Sequence, residues 1–171
     1  GTFLGVREKL PYLKELGINQ IKLMPAYEFT EMESVKTHAR YRKEEELPKR
    51  LNYWGYTKAF HFAPKRAYAA TKDPVREFKD MVKTMHRLGI EVLMEFYFPE
   101  GCSPRYITEC LQYWVQEYHV DGFRFDLMGL HDTETMNEIR AALDRLPGGK
   151  EILMYGEPWA AGKTAIQPGY E

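Results

Sequence analysis

Four segments of the chain carry apolar residues at every third or fourth position, and a short apolar run follows each of them. The wider spacing predicts amphipathic helices, and the short runs predict strands. The helical patterns lie at 3–16, 74–88, 104–118 and 133–146. The predicted strands lie at 18–24, 90–98, 120–126 and 151–155. The alternation predicts one α/β domain over residues 1–171 that is built from parallel βα units.

Residues that typically begin helices flank these patterns. The predicted N-caps are Asp73, Ser103 and Asp132, and a proline follows each of the first two. A capping side chain next to a proline suits the first turn of a helix. Within the first pattern, Pro11 predicts a kink or a restart of the helix.

One connection, at about 25–71, is far longer than the two to six residues that usually join a strand to its helix. A dense run of charges at 40–50 predicts a solvated helix or a flexible excursion. The stretch at 52–56 instead concentrates the aromatic residues Tyr53, Trp54 and Tyr56. Aromatic faces stack on sugar rings while their polar edges reach hydroxyls. This loop is therefore a candidate sugar-binding surface, with packing inside the loop as the alternative.

The charge balance narrows the choice of partners. Lys and Arg number 24 against 25 for Asp and Glu, so a net charge of −1 gives no electrostatic footprint for nucleic acid or an anionic membrane. No apolar run approaches the roughly 18 residues of a membrane span. We therefore expect neither nucleic acid nor a membrane as a partner.

Cysteine usage and short motifs predict neither a metal nor a cofactor. Cys102 and Cys110 form no CxxC pattern, and the histidines show no metal-ligand spacing. The GxGxxG and P-loop patterns are absent from the sequence. The chain opens at Gly1 without an initiator methionine or a signal-peptide layout, as a piece cut from a longer protein would. Unpaired cysteines without a leader pattern predict the cytoplasm, with secretion as the alternative.

Carboxylates gather where three successive predicted strands end. Glu95 and Glu100 lie at the end of the second strand, Asp126 ends the third and Glu157 follows the fourth. In parallel α/β folds, active groups project from these ends. The alternation of side chains places Arg124 on the same face as Asp126. We expect the guanidinium to lower the pKa of Asp126 and keep it ionised as a nucleophile, with a structural Arg–Asp pair as the alternative.

Glu157 stands on a restricted backbone between Gly156 and Pro158, next to Trp159. A nearby indole would exclude water and raise the pKa of Glu157, which suits a general acid, whereas an exposed loop glutamate is the alternative. Carboxyl groups on neighbouring strands can lie about 5 Å apart, the separation of retaining glycosidases. Asp126 and Glu157 together therefore indicate sugar chemistry.

Three motifs resemble those of the α-amylase family of glycoside hydrolases, and within it the α-1,6-glucan debranching enzymes of pullulanase and isoamylase type. VDGFRFDLMG at 120–129 is similar to the strand-4 motif of that family in its pullulanase form. GEPW at 156–159 is similar to the strand-5 motif. NYWGY at 52–56, followed by FAP at 62–64, resembles the isoamylase-type aromatic loop.

The resemblance implies a partial (β/α)8 TIM barrel of about four βα units, which correspond to barrel strands 2 to 5. It implies Asp126 as the nucleophile, Arg124 as its ion-pair partner and Glu157 as the general acid/base. The candidate substrate-binding residues are Tyr56, Trp54, Trp159 and Glu95. The implied activity is retaining hydrolysis of an α-glucan such as glycogen, starch or pullulan, without a metal or a cofactor.

Two features depart from the family pattern. The strand-3 motif of the family reads Asp-x-x-x-Asn-His, whereas residues 95–100 read EFYFPE and only two residues separate them from the next helix cap. A third carboxylate, which stabilises the transition state, would lie beyond Glu171. We therefore expect no debranching activity from this chain alone. The alternative is a non-catalytic protein that binds α-glucan or regulates its metabolism.

Four parallel strands leave two open sheet edges, and unpaired edges template association. A second copy could close an eight-stranded barrel about a two-fold axis, as in cyclic dimers. The other expected partner is the missing half of the barrel.

Overall fold

The computed structural model describes residues 1–34 and 49–166, in which helices pack against one face of a parallel four-stranded sheet. The helices are α1 (Phe3–Glu15), α2 (Pro74–Arg87), α3 (Pro104–Tyr118) and α4 (Thr133–Asp144). The strands are β1 (Gln20–Leu23), β2 (Tyr27–Phe29), β3 (Met32–Ser34), β4 (Lys49–Leu51), β5 (Ala59–Pro64), β6 (Glu91–Phe96), β7 (Gly122–Phe125) and β8 (Leu153–Gly156). Short 3-10 turns lie at Arg66–Tyr68, Met128–Leu130 and Gly149–Glu151.

The parallel sheet has the order β1-β6-β7-β8, so its strands follow one another in chain order. All three pairings in this sheet are parallel, and a helix connects β6 to β7 and β7 to β8. The α/β fold predicted from the alternation is confirmed. Each strand is shorter than its apolar run because the outermost residues of the runs belong to connections.

The predicted N-caps act as expected. The side chain of Asp73 accepts a hydrogen bond from the backbone N–H of Arg76, and Ser103 and Asp132 cap α3 and α4 in the same way. The predicted restart at Pro11 is wrong, because α1 continues through it to Glu15. Pro11 lies on the exposed side of α1, so the carbonyl that it leaves without a helical partner can bind water.

The long connection at 25–71 contains short antiparallel ladders. β2 pairs with β5, and β3 pairs with β4. The charge run at 40–50 lies outside the described residues apart from Lys49 and Arg50, which belong to β4. The buried side chain of Lys65, just after β5, contacts Glu28 at 3.1 Å and ties the two ends of this excursion together.

The hydrophobic core lies between the sheet and its helices and is rich in aromatic residues. Phe96 of β6 and Phe123 of β7 point into it and contact each other. Phe96 also contacts Trp114 of α3, and Trp114 contacts Phe78 of α2. The indole N–H of Trp114 donates to the backbone carbonyl of His61 at 2.7 Å, which holds β5 against the same layer. Burying such large side chains stabilises the fold and fixes which face of each strand remains for polar groups.

The other face of the sheet is open at its two edge strands. Among the residues on this face, Leu153 and Tyr155 of β8 are 42% and 40% exposed. Among the described helices, none combines the length and the apolar character that a membrane crossing requires.

Candidate active site

The carboxyl ends of β6, β7 and β8 bring four charged side chains into one polar cluster. The register places Glu95 beside Arg124 in the sheet, and Arg124 beside Tyr155. Asp126 directly follows β7, and Glu157 directly follows β8. Because the strands are parallel, these ends meet at one edge of the sheet, where active groups of α/β folds usually lie.

The guanidinium of Arg124 is the centre of the cluster and contacts all three carboxylates. Its Nη1 donates to Glu95 Oε1 at 2.7 Å and to Asp126 Oδ1 at 3.0 Å. Its Nη2 lies 2.5 Å from Glu157 Oε1. The side chains of Arg124 and Asp126 are each 14% exposed. The structure therefore places Asp126 and Glu157 on adjoining strands and within reach of one cation.

The pKa of Asp126 is raised above its ordinary value because the carboxyl group is largely removed from water. Arg124 acts in the opposite direction, while the neighbouring carboxylates of Glu157 and Glu95 add to the rise. Arg124 thus lowers the pKa as expected, but the net shift is upward, so the expectation of a lowered pKa for Asp126 is wrong. Burial outweighs the cation, which is shared among three carboxylates.

The pKa of Glu157 is lowered, and the main cause is the hydrogen bond from the indole N–H of Trp159 to Oε2 at 2.9 Å. Arg124 and the backbone N–H of Leu127 act in the same direction. The expectation that Trp159 raises this pKa is wrong, because the indole presents its N–H donor and the Glu157 side chain stays 38% exposed. Glu157 is therefore held in its ionised form.

Glu95 is only 1% exposed, and both of its oxygens have partners. Oε1 accepts from Arg124 and also from the hydroxyl of Tyr56 at 2.5 Å, while Oε2 pairs with Lys22. Glu95 was expected to bind substrate. In the structure its carboxylate instead holds three neighbouring side chains, and little of it is open to a ligand.

Tyr56 is the one residue of the aromatic loop whose hydroxyl reaches the cluster. Burial, and then its hydrogen bond to Glu95, raise the pKa of Tyr56. Its ring lies 6.4 Å from that of Tyr97, edge to face, and 6.2 Å from that of Trp54. Trp54 and Trp159 are both exposed, so each leaves an aromatic face free at the rim of the cluster.

Two features shape the aromatic loop locally. The side-chain oxygen of Asn52 accepts from the backbone N–H groups of Trp54 and Gly55 at 2.9 and 2.8 Å, which makes a tight turn. Gly55 has a φ of +84°, and a Cβ there would lie 2.6 Å from Pro25 and 2.9 Å from Phe29. The loop can therefore lie flat on this apolar surface only with glycine at position 55.

Sequence reasoning missed Lys22 and the role of Asn52. Lys22 alternates with apolar Ile21 and Leu23 in β1, a signal that its side chain faces away from the helices. Asn52 two residues before a Trp-Gly pair is a turn signal that was available. Within the described residues, no group of three or more His, Cys, Asp or Glu side chains is arranged to hold a metal ion.

Known proteins similar to this chain include isoamylases, a glycogen operon protein and pullulanases. No protein-family model matches the chain. It is 36% identical to the chloroplastic isoamylase 1 of Arabidopsis thaliana, over 74% of this chain and 22% of that protein. It is 30% identical to the glycogen operon protein GlgX homolog of Haemophilus influenzae, over 99% of this chain and 32% of that protein. The chain therefore spans about a fifth to a third of the length of these curated relatives.

Solved structures agree with the curated relatives. The crystal structure of the pullulanase from Paenibacillus barengoltzii, in complex with maltohexaose and α-cyclodextrin, has a TM-score of 0.74 and 28% identity, covering 92% of this chain and 31% of that one. The alignment with the Haemophilus influenzae protein runs over 222 positions, more than the 171 residues of this chain, so that relative carries residues that are lacking here. By these likenesses in sequence and fold, the chain belongs to the debranching enzymes, isoamylases and pullulanases, of the α-amylase family of glycoside hydrolases.

Proposed function

We propose that the chain forms strands 2 to 5 of a (β/α)8 barrel. We also propose that it carries two catalytic carboxylates, Asp126 and Glu157, of a retaining α-glucan debranching site. The observation that carries this proposal is the contact of one guanidinium, that of Arg124, with both Asp126 and Glu157. The parallel sheet in chain order and the likeness to a pullulanase support the barrel assignment.

In the proposed reaction, Asp126 attacks the anomeric carbon while Glu157 gives a proton to the departing glycosidic oxygen. Asp126 is then covalently bound to the sugar. Glu157 next takes a proton from water, and the resulting hydroxide releases the sugar with its original anomeric configuration. Arg124 keeps the attacking carboxylate oriented through its Nη1 contact at 3.0 Å.

Glu95 has a positioning role in this proposal. Its carboxylate accepts hydrogen bonds from Arg124 and from the hydroxyl of Tyr56. Because Arg124 also contacts Asp126, Glu95 connects the nucleophile to the aromatic loop. A glutamate in this place lets one carboxylate serve both neighbours. This role replaces the direct contact with sugar that the sequence led us to expect.

The proposed substrate is an α-glucan such as glycogen, starch or pullulan. Tyr56 offers a fixed ring beside the carboxylates, and the exposed rings of Trp54 and Trp159 lie further out. Flat aromatic faces suit sugar rings. The Paenibacillus barengoltzii pullulanase, whose structure is similar, is complexed with maltohexaose and α-cyclodextrin.

We propose that the isolated chain does not hydrolyse its substrate. Both oxygens of Glu157 are engaged, one by Arg124 and one by Trp159, and its pKa is lowered. In the isolated chain, neither oxygen of Glu157 is therefore free to meet the departing glycosidic oxygen. The four strands of the parallel sheet also supply only half of the proposed eight-stranded barrel.

The test combines hydrolysis with binding. The purified chain is incubated with pullulan and with glycogen, and reducing ends are measured; we expect none. Maltohexaose binding is measured by calorimetry, and we expect binding that Tyr56→Ala weakens and that Tyr12→Ala, a change at an exposed tyrosine of α1, leaves unchanged. New reducing ends would overturn the proposed inactivity. Equal affinities in all three chains would overturn the glucan site.

A second candidate function is non-catalytic α-glucan binding, and the engaged state of Glu157 favours it. The two functions separate in a longer chain that includes the remaining strands. If it is an enzyme, Asp126→Asn abolishes release of reducing ends while maltohexaose still binds. If it only binds glucan, Tyr56→Ala weakens binding and Asp126→Asn changes neither binding nor product formation.

We also propose that further strands cover β1 and β8, supplied either by the rest of the barrel or by a second copy. Leu153 and Tyr155 point from β8 into the uncovered face. Sedimentation at micromolar concentration separates the two sources, because a monomer excludes closure by a second copy.

A further inference from the structure

The segment that follows β8 folds back onto the 3-10 turn that follows β7. The backbone N–H of Gly129 donates to the carbonyl of Trp159 at 3.0 Å. The carbonyl of Gly129 accepts from the N–H of Ala165 at 2.8 Å and from the hydroxyl of Thr164 at 3.0 Å. Gly129 is buried at the centre of this contact. Both of its backbone groups are therefore used to hold the loop after β8.

Glycine is required at position 129 because the two backbones touch. A Cβ at Gly129 would lie 2.6 Å from the carbonyl carbon of Trp159 and 2.7 Å from its oxygen. Gly156 is a second close approach of this kind, since a Cβ there would lie 2.7 Å from the carbonyl oxygen of Phe125. A backbone oxygen or carbon cannot move aside as a flexible side chain could. A side chain at position 129 would therefore separate the two loops, and one at position 156 would separate the ends of β7 and β8.

This contact sets the surroundings of one oxygen of Glu157. Oε2 accepts from the indole N–H of Trp159 at 2.9 Å and faces the backbone N–H of Leu127 at 3.5 Å. Leu127 has a left-handed backbone with φ 49° and ψ 49°, a conformation that is unfavourable for leucine and persists only where the surroundings enforce it. Both donors therefore belong to the segments that Gly129 joins.

We propose that Gly129 is a positioning residue for Glu157, which acts by holding the loop of Trp159 against the turn after β7 so that two N–H groups face the carboxylate. This positioning role is inferred from the contacts of Gly129 with Trp159, Thr164 and Ala165. Its meaning for catalysis rests on the proposed function, in which Glu157 is the general acid/base. A shift of the Trp159 backbone would change the orientation of the acid without any change to the acid itself.

The experiment follows the indole N–H signal of Trp159 by ¹⁵N–¹H NMR as the pH is lowered through the range in which glutamates titrate. In the unaltered chain we expect this signal to shift as Glu157 takes up a proton, because the N–H donates to that carboxylate. Glu157→Gln identifies the shift by removing it. In Gly129→Ala we expect the pH-dependent shift to be lost, since the added Cβ displaces Trp159.

Three further variants make the outcome decisive. Gly122→Ala places a Cβ 2.7 Å from the carbonyl oxygen of Leu153, a comparable close approach at the first residue of β7, and should keep the shift. Thr164→Val removes one hydrogen bond to Gly129 with little strain and should reduce the shift, whereas Thr164→Ser should retain it. If Gly129→Ala folds and its Trp159 indole signal shifts with pH as in the unaltered chain, the proposal is overturned. If Gly129→Ala does not fold, an unchanged shift in Thr164→Val overturns it. No sugar is present, so failure of glucan binding leaves this result unaffected.

Discussion

The two central strands of the sheet and its two edge strands are built differently. Every residue of β6 from Val92 to Phe96 is buried, and β7 is buried except at Arg124, which is half-buried. In β1 and β8, half-buried residues alternate with exposed ones. The central strands are therefore covered on both faces, whereas the edge strands are covered only by helices.

This difference explains where the charged cluster lies. Glu95 and Arg124 belong to the central strands, where neighbouring strands shield them from water. Shielding from water strengthens their electrostatic contacts, and it raises the free energy of any charge that is left without a partner. Lys22 on β1 contacts the same cluster but remains 37% exposed. We expect substitutions on the central strands to have large effects and matched substitutions on the edge strands to have small ones.

The largest expected effect comes from the core side of β6. Phe96→Ala removes a fully buried ring and should lower the free energy of unfolding by about 3–5 kcal/mol. Leu153→Ala on β8 truncates a side chain that is 42% exposed, so its effect should stay within about 0.5 kcal/mol. Urea unfolding followed by circular dichroism measures both. Similar losses in the two variants would show that the edge strand is covered in solution.

The next effect concerns the cation of the cluster. Arg124→Met leaves three carboxylates facing one another without their shared partner and should lower the free energy of unfolding by about 3 kcal/mol. Lys22→Met removes a more exposed cation from the same Glu95, and its effect should be below about 1 kcal/mol. The same urea experiment gives both values. A loss in Lys22→Met as large as that in Arg124→Met would contradict the difference between centre and edge.

A smaller effect is expected within the aromatic loop. Tyr56→Phe removes a hydroxyl that donates to the buried carboxylate of Glu95 and should cost about 1.5 kcal/mol of stability. Tyr53→Phe is the matched change at an exposed tyrosine of the same loop and should stay within about 0.5 kcal/mol. Equal unfolding midpoints for the two variants would show that the hydroxyl of Tyr56 does not anchor the loop.

The smallest expected effect is a pH dependence that arises next to the end of β6. His61 contacts the carbonyl of Tyr97 and the hydroxyl of Tyr106, and burial lowers its pKa below the ordinary 6.5. As the pH falls, His61 takes up a proton in the unfolded chain before it does so in the folded one. The contribution of His61 to the free energy of unfolding is therefore unaffected above about pH 6.5 and declines as the pH falls through that value.

Unfolding midpoints at pH 7.5 and pH 5.5 test this dependence. His61→Gln should make the decline smaller but not abolish it, because burial also lowers the pKa of His131. An equal change between pH 7.5 and pH 5.5 in the unaltered chain and in His61→Gln would contradict the assignment.

Local rules predicted much of this structure because they act over a few neighbouring residues. Capping by Asp73, Ser103 and Asp132 depends on side chains three residues from their partners. The alternation in β7 correctly placed Phe123 in the core and Arg124 on the opposite face. The direction of the pKa shifts of Asp126 and Glu157 could not be predicted in this way. It depends on how far each group is buried and on which atom of Trp159 faces the carboxylate.

The sequence alone determined the alternation of helices and strands, the starts of α2, α3 and α4, and the polar face of β7, because hydrophobic period and capping are properties of short segments. Only the tertiary structure decided that one guanidinium serves three carboxylates, that Lys22 and Tyr56 join Glu95, and that the loop after β8 rests on Gly129. Arg124 and Asp126 are two positions apart, but the other contacts join residues that lie 29 to 73 positions apart. No local pattern encodes such distances, because they arise only when parallel strands align their ends.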